Sequence, residues 1–161
     1  MRLRYTYKAS NPRAFGSVSM SLRVKDCMSK DIVTVEGNLS AFAASKIMLE
    51  KNVDYLIVLE KAQPTGIVTE RDLVLKVMAP GKNPSKMKIS ECMTTPIVTT
   101  DPDATIEEAA KTMAEHGIRR LPVVRDTIIY GVFTSQDLAR NLKKYEDKLA
   151  REMIFSFWRK F

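Results

Sequence analysis

The chain repeats itself at an offset of 65 residues, and this repeat constrains its fold more than any other feature of the sequence. Cys27 aligns with Cys92, and the register continues without a gap until Asp72 aligns with Asp137. A repeat of this kind is one supersecondary unit present twice, and such a unit cannot bury its apolar face alone. The sequence therefore predicts two halves that share a core and are related by a pseudo-two-fold axis.

Within each copy, the hydrophobic pattern indicates the same order of elements. A short β-branched run precedes a helix with apolar residues three and four apart, and two apolar runs typical of buried strands then precede a second helix. Strands are expected at 32–35, 55–59 and 66–68, and again at 97–99, 121–124 and 128–133. The predicted fold class is α/β (α+β), with two β-α-β-β-α repeats and a C-terminal helical extension.

The chain divides into five predicted segments. These are a basic N-terminal extension at 1–22, a first repeat at 23–78, a linker at 79–88, a second repeat at 89–140 and an amphipathic C-terminal helix at 141–161. Pro80, Gly81 and Pro84 place the linker, because proline does not continue a helix and glycine ends one readily. The last segment carries an apolar stripe at helical spacing, formed by Leu142, Tyr145, Leu149, Met153, Phe157 and Phe161.

The net charge of +7 is concentrated at the two ends of the chain. Residues 26–138 hold 13 basic and 16 acidic side chains, which argues against a body whose main surface binds nucleic acid. The cationic ends leave an RNA-binding adaptor open as an alternative function. The aromatic and basic C-terminal stripe leaves binding to a membrane surface open as a third.

The two cysteines and the single histidine exclude several kinds of site. Cys27 and Cys92 have no second thiol nearby, so neither a zinc knuckle nor a Cys-x-x-Cys redox motif is present, and paired packing is expected of them. No hydrolase triad or metal site can be assembled around His116, whose position beside Gly117 favours helix capping. We therefore expect no enzyme activity, no catalytic cofactor and no metal. The thiols and the lack of a secretory signal favour a cytoplasmic location.

The motif with the most chemical content is Gly-x-x-Thr-x-x-Asp, which ends the last strand of each copy and begins its second helix. Thr69 with Asp72, and Thr134 with Asp137, have nearly the spacing of a helix capping box. The same position suits a nucleotide, because a helix N-terminus offers N–H groups to phosphate and a carboxylate accepts both hydroxyls of a ribose. Spacing alone does not decide between a structural and a binding role.

In combination, these motifs resemble a known family. The duplicated Cys-Met and Ile-Val-Thr runs, the Leu-Pro-Val-Val strand beginning at Leu121 and the duplicated Gly-x-x-Thr-x-x-Asp are similar to a tandem pair of CBS domains, a Bateman module, over residues 24–139. The resemblance is to the stand-alone prokaryotic type common in archaea. It implies a regulatory ligand that contains adenosine (AMP, ADP, ATP or S-adenosylmethionine), a homodimer and a protein target of unknown identity.

The resemblance also implies two ligand clefts between the repeats. In each, the Asp would hold ribose, the Thr would reach ribose or phosphate, the backbone before the second strand would recognise adenine, and arginines would contact phosphate. One cleft is expected to combine Thr134, Gln136 and Asp137 with Thr34, Val53 and Asp54. The mirror cleft is expected to combine Thr69, Arg71 and Asp72 with Thr100, Ile118, Arg119 and Arg120.

The two predicted clefts differ in charge. Asp54 stands where the second copy has Arg119, and a carboxylate a few ångströms from a phosphate repels it. We therefore expect the cleft of Thr69 and Asp72 to bind a nucleotide better than the cleft of Thr134 and Asp137. The overall prediction is a regulatory module that senses an adenosine-containing ligand and signals to a partner.

Overall fold

The structure is a computed structural model that describes residues 22–143. The first repeat contains α1 Val24–Cys27, β1 Thr34–Glu36, α2 Ala41–Lys51, β2 Tyr55–Glu60, β3 Gln63–Thr69 and α3 Glu70–Asp72, which continues as a π-helical segment, Leu73–Met78. The second repeat contains a short 3-10 helix, Ile89–Glu91, then α4 Ile106–His116, β4 Arg120–Arg125, β5 Ile128–Thr134 and α5, described over 135–143.

Each repeat is built on a small sheet. In the first repeat, β1 is parallel to β2 and β2 is antiparallel to β3, and in the second repeat β4 is antiparallel to β5. The first strand of the second repeat is reduced to one parallel bridge between Thr100 and Val123, which corresponds to the Val35–Val58 pair of the first. The predicted mixed fold of two equivalent repeats is confirmed, with one strand shortened.

The helix that follows the first strand begins and ends at equivalent positions in both repeats. Ser40 caps the first turn of α2 through its hydroxyl oxygen, and Thr105 forms a capping box with Glu108 at the start of α4. Asn52 ends α2 and Gly117 ends α4 in the left-handed conformation, with φ of 51° and 62°. Local chemistry therefore sets the same helix length twice.

The segment that leads into each repeat packs on the other repeat. Ser29 exchanges two backbone hydrogen bonds with Val132 of β5, with N–O distances of 3.0 and 2.9 Å. Thr94 exchanges two with Ile67 of β3, at 2.8 and 3.1 Å. As a result, the start of one repeat extends the sheet of the other.

The repeated glycine of the motif makes this crossing possible. A Cβ atom at Gly131 would collide with the backbone oxygen of Ser29 and with the side chain of Met28. A Cβ atom at Gly66 would collide with the side chain of Met93. Only glycine allows the two backbones to approach this closely.

The crossing also mixes the two cores. Cys27 packs against the core of the second repeat, and the buried Cys92 lies in the core of the first. The two cysteines were predicted to pack as a pair against the shared core, but each packs in the separate core of the opposite repeat. A third cluster of buried side chains, Tyr55, Ile57 and Val132, joins the two sheets. Neither half has a complete core without the other.

The predicted linker is exposed over most of its length. Pro84 is only partly exposed, and Met87, near the end of the predicted 79–88 segment, is buried in the core of the first repeat. Of the predicted C-terminal helix, 141–143 belong to α5, while 144–161 lie outside the described residues together with 1–21. Across residues 22–143, no helix is both long and apolar enough to cross a membrane.

Candidate ligand clefts

Two clefts of unequal size combine residues of both repeats. The large cleft encloses about 450 Å³ and the small cleft about 190 Å³. The large cleft is lined by Ser29, Asp54, Tyr55, Arg119, Arg120, Thr134, Ser135, Gln136, Asp137 and Arg140. The small cleft is lined by Ile67, Thr69, Arg71, Asp72, Thr94, Gly117, Ile118, Arg119 and Arg120.

Ser29 and Thr94 line the large and small clefts respectively, and sequence reasoning missed both. They stand at equivalent positions, directly after the repeated Cys-Met pair. Each reaches its cleft because the leading segment of one repeat crosses onto the last strand of the other. The sequence did show a hydroxyl side chain at this position in both copies. Only the crossing of the chain between the repeats explains why that side chain lies in a cleft.

The repeated Thr and Asp form a capping box in both repeats. Thr134 donates to Asp137 Oδ2 through its hydroxyl at 2.7 Å and its backbone N–H at 3.0 Å, and its Oγ1 accepts from the Asp137 N–H at 3.2 Å. The equivalent contacts between Thr69 and Asp72 measure 2.6, 3.0 and 3.2 Å. The box uses one carboxylate oxygen, Oδ2, and does not involve Oδ1.

The first backbone N–H groups of the second helices are partly used within the protein. The N–H of Ser135 donates to the carbonyl oxygen of Arg119 at 3.0 Å, and the N–H of Glu70 donates to that of Asp54 at 3.1 Å. The N–H groups of the capping Thr and Asp residues are also occupied. Anion contacts in these clefts must therefore rely more on arginine side chains than the sequence suggested.

An ion pair between the repeats dominates the charge of the large cleft. Arg120 contacts Asp54 with both Nε and Nη2, and the Nε–Oδ1 distance is 3.0 Å. The Arg120 guanidinium also lies 5.7 Å from the centre of the Tyr55 ring. Burial, followed by the charge of Asp54, raises the pKa of Tyr55 above its ordinary value. The tyrosine therefore stays neutral and donates or accepts only as a phenol.

This ion pair corrects the charge argument made from sequence. Asp54 was expected to repel a phosphate with no cation beside it, and the predicted preference for the small cleft depended on that premise. In the structure, Arg120 neutralises Asp54, while Arg119 and Arg140 also line the large cleft. The premise is wrong because Arg120, assigned to the opposite cleft, lies between the two and lines both.

In the small cleft, the motif carboxylate is held by a neighbour on its own helix. Lys76 Nζ lies 2.7 Å from Asp72 Oδ1, and Thr94 Oγ1 lies 3.4 Å from the same oxygen. Burial, the largest single influence, opposes ionisation of Asp72, but hydrogen bonds from Lys76 and Thr69 together outweigh it and lower its pKa. By contrast, Arg140 Nη1 is 3.4 Å from Asp137 Oδ1. The second oxygen is therefore held at a longer distance in the large cleft, although the Asp137 side chain, 9% exposed, is slightly more buried than that of Asp72, 13% exposed.

The structure places the remaining predicted residues unevenly. Gln136 lines the large cleft, and Arg71 and Ile118 line the small one, as expected. Val53 lines an adjoining cavity of about 360 Å³, which shares Asp54, Tyr55 and Gln136 with the large cleft.

Two predicted threonines do not line either cleft. Thr34 lies on β1 paired with Ile57, and the backbone of Thr100 bonds to Pro122 and Val124. Both are held by strand pairing on the sheet, and Ser29 and Thr94 line the clefts instead. The sequence alone did not show that Ser29 and Thr94 would take the place of Thr34 and Thr100. The chain crosses to the other repeat at Ser29 and Thr94, before the first strand of each repeat begins.

His116 ends α4, and its Nδ1 lies 3.0 Å from the carbonyl oxygen of Thr112 one turn earlier. This position agrees with the predicted role at a helix end. Within the part of the chain that the structure describes, no group of three or more His, Cys, Asp and Glu side chains is placed to hold a metal ion.

With this geometry in hand, comparison with known proteins identifies the family. The CBS domain family model matches twice, over residues 24–79 and 89–144. The chain therefore belongs to the CBS domain family and carries a tandem pair of its domains.

Relatives with solved structures or known sequences share this pair. The CBS domain-containing protein YhcV of Bacillus subtilis is 36% identical over 118 residues, which cover 73% of this chain and 84% of that protein. The CBS domain pair of protein MJ0100, solved in complex with 5'-methylthioadenosine and S-adenosyl-L-methionine, has a TM-score of 0.68 and 31% identity over 75% of this chain and 99% of that one. The hexameric CBS-CP12 protein of bloom-forming cyanobacteria has a TM-score of 0.71 and 35% identity, covering 74% of this chain and 67% of that one.

These comparisons support a CBS-pair regulatory module. At least one relative, the MJ0100 pair, binds adenosine-containing ligands. The comparisons give no support to the RNA-binding alternative, which rests on basic segments at 1–22 and 141–161 that lie almost wholly outside the described residues.

Proposed function

We propose that this CBS pair is a regulatory module, not an enzyme, that binds an adenosine-containing small molecule in the large cleft and passes its occupancy to a partner. One observation carries this proposal. Asp137 keeps Oδ1 outside the capping box, beside a cavity of about 450 Å³ that three arginines line. A volume of this size falls within the range of roughly 300–1,000 Å³ typical of small-molecule sites.

Each part of the ligand has a matching group in this proposal. Asp137 Oδ1 accepts the ribose hydroxyls, while Thr134 positions the carboxylate by holding Oδ2. Arg119 and Arg140 contact phosphate, and the adjoining cavity beside Val53 takes the adenine. The motif threonine is therefore a positioning residue in this arrangement and does not itself bind the phosphate.

The lining favours a phosphate-bearing ligand. Three arginines, Arg119, Arg120 and Arg140, line the cleft together with two carboxylates, those of Asp54 and Asp137. The excess of positive charge suits AMP, ADP or ATP better than S-adenosylmethionine, whose sulfonium is positive. The 5'-methylthioadenosine and S-adenosyl-L-methionine bound to the MJ0100 pair support the adenosine class. Placing the nucleotide in the large cleft reverses the ranking of the two clefts that the sequence suggested.

Occupancy of the cleft also has a route to the rest of the module. Arg120 belongs to β4 and Asp54 to the loop before β2, so their ion pair ties the two repeats together. A phosphate that competes for Arg120 weakens the Arg120–Asp54 ion pair and so changes how firmly the two repeats are held together. That change is what a partner would detect.

A ligand panel tests the proposal. Thermal unfolding and calorimetry with AMP, ADP, ATP, S-adenosylmethionine and adenosine should give stabilisation of about 2.7 kcal/mol at 100 times the dissociation constant of the tightest compound. Guanosine nucleotides of equal charge are the matched control. They should bind as well as the adenosine nucleotides if the arginines attract phosphate without any recognition of the base. If no adenosine compound stabilises the fold, the sensor proposal is wrong.

A further inference from the structure

The small cleft offers little space for the ligand that the family resemblance implies for it. It encloses about 190 Å³, below the roughly 300–1,000 Å³ typical of sites for small organic molecules. The large cleft is more than twice this size and shares residues with the adjoining cavity beside Val53. The space in the small cleft suits a small anion better than a whole nucleotide.

The group that would hold ribose in the small cleft already has partners within the protein. Asp72 Oδ2 belongs to the capping box, and Asp72 Oδ1 lies 2.7 Å from Lys76 Nζ. Lys76 is fixed in turn by a hydrogen bond of 2.8 Å to the carbonyl oxygen of Cys92. Both carboxylate oxygens are therefore bound, and the adjacent ammonium group balances the negative charge that would repel an anion.

Two guanidinium groups of the small cleft carry positive charges that no carboxylate balances. Arg71, Arg119 and Arg120 line the cleft. Arg120 is paired with Asp54, but neither Arg71 nor Arg119 forms a salt bridge with any residue in the range 22–143. Guanidinium groups bind phosphate oxygens through pairs of parallel hydrogen bonds, which makes phosphate the matching anion.

The large cleft has a different balance of charge. Two of its three arginines lie beside carboxylates, and only Arg119 lacks one among the described residues. Arg71 supplies the second unbalanced charge of the small cleft, and its equivalent in the large cleft is the neutral Gln136. The smaller cavity therefore has the larger unbalanced positive charge.

We propose that the small cleft binds inorganic phosphate without a nucleoside, held by Arg71 and Arg119. Arg119 also lines the large cleft, so phosphate in the small cleft draws this arginine away from a nucleotide in the large one. Free phosphate thus opposes nucleotide binding. The phosphate site stands independently of the proposed function, and only this opposition rests on it.

Titration of the full chain with inorganic phosphate tests the site. Calorimetry is run with sodium phosphate replacing sodium chloride at constant ionic strength, so that general screening does not change. Arg71→Gln introduces the residue found at the equivalent position of the second repeat, and it should weaken phosphate binding roughly tenfold or more.

Arg140→Leu is the matched control, because it removes one positive charge from the large cleft and introduces the residue found at the equivalent position of the first repeat. It should change phosphate affinity less than about twofold, since a distant exposed charge is screened by salt. Arg71 and Arg140 are both exposed, so neither variant disturbs a core.

Three results of this titration would overturn the proposal. They are an intact chain that does not bind phosphate, an Arg71→Gln variant that keeps its phosphate affinity, and equal weakening in both variants. The last result would mean that phosphate is attracted by the overall positive charge and not by one cleft.

A titration with AMP, run with and without phosphate, tests the opposition between the clefts. We expect phosphate to weaken AMP binding several-fold in the intact chain and to have no such effect in Arg71→Gln. If phosphate has no effect on the intact chain, or acts equally on both proteins, the proposed opposition is wrong. AMP binding at two sites per chain, one of them lost in Arg71→Gln, would assign the small cleft to a nucleotide and overturn the proposal. An intact chain that binds phosphate but no adenosine compound would refute the proposed function and support the phosphate site.

Discussion

The large and small clefts are built from equivalent elements, yet a cation holds the second oxygen of the motif carboxylate at 3.4 Å in the large cleft and at 2.7 Å in the small one. The difference arises one turn into the second helix. Lys76 holds Asp72 Oδ1 at 2.7 Å, whereas the equivalent residue, Asn141, donates instead to the backbone oxygen of Asp137 at 2.8 Å. A duplicated motif therefore does not guarantee a duplicated site, because residues outside the motif decide how closely its second carboxylate oxygen is held.

The arginines divide between the clefts in a way that the repeat alone does not show. Arg119 and Arg120 line both clefts, but Arg120 is committed to Asp54 on the side of the large one. Arg140 is the third arginine of the large cleft and Arg71 the third of the small one, and their equivalents in the opposite repeats are Leu75 and Gln136. Each cleft is therefore lined by three arginines, and the larger volume is what favours the large cleft.

The largest expected effect comes from neutralising the two motif carboxylates separately. Asn retains an oxygen for the capping box but loses the charge. Asp137→Asn should weaken binding of the tightest adenosine ligand about 10- to 100-fold, since a hydrogen bond to a charged group is worth about 1.5–3 kcal/mol. Asp72→Asn, the matched variant, should change affinity less than about threefold. Isothermal titration calorimetry measures both, and equal losses would contradict the distinction between the clefts.

A second comparison concerns the two crossings. Gly131→Ala should destabilise the protein by about 1–3 kcal/mol, because the new methyl group meets the backbone oxygen of Ser29, which cannot move alone. Gly66→Ala should cost less, since its nearest contact is the flexible side chain of Met93. Urea unfolding at neutral pH gives both values. If Gly66→Ala lowers the free energy of unfolding as much as Gly131→Ala or more, the crossing at Gly66 is at least as tightly packed as the one at Gly131.

The ion pair in the large cleft gives a smaller effect of the opposite sign. Asp54→Asn releases Arg120 from its ion pair, so the affinity for AMP or ATP should rise several-fold, equivalent to about 1 kcal/mol. Adenosine is the control, because a ligand without phosphate has no use for the freed arginine. If both ligands respond alike, or if nucleotide affinity falls, Asp54 binds the ligand and does not compete with it.

The smallest effect concerns pH and the small cleft. The folded pKa of Asp72 lies below its ordinary value of 3.8, so its stabilising contribution is present above about pH 4 and is lost as the pH falls through the folded pKa. Lys76→Gln should therefore reduce the free energy of unfolding by about 1 kcal/mol or less near pH 6 and have little effect near pH 2.

Lys111→Gln provides the control for that measurement. Lys111 contacts Glu115 at 3.8 Å on the exposed face of α4, with both side chains more than half exposed. Its removal should leave stability nearly unchanged at both pH values. A pH-independent loss in Lys76→Gln would mean that the lysine acts through its contact with the backbone oxygen of Cys92, at 2.8 Å, and not through Asp72.

The sequence by itself determined the duplicated fold and the residues of the motif. Strand and helix order follow from local periodicity, and the caps follow from single side chains such as Ser40 and Thr105, so both are visible in a linear pattern. The capping role of the repeated Thr and Asp was predictable for the same reason, since its partners are three residues apart.

Only the tertiary structure decided which side chains meet across the repeats. Asp54 and Arg120 are 66 residues apart, and Ser29 reaches the large cleft through a backbone crossing that no local pattern encodes. Charge was the least predictable quantity, because the effect of a carboxylate depends on the nearest cation in space. The sequence therefore predicted two clefts of different charge, and contacts between the repeats decided which cation lies beside Asp54.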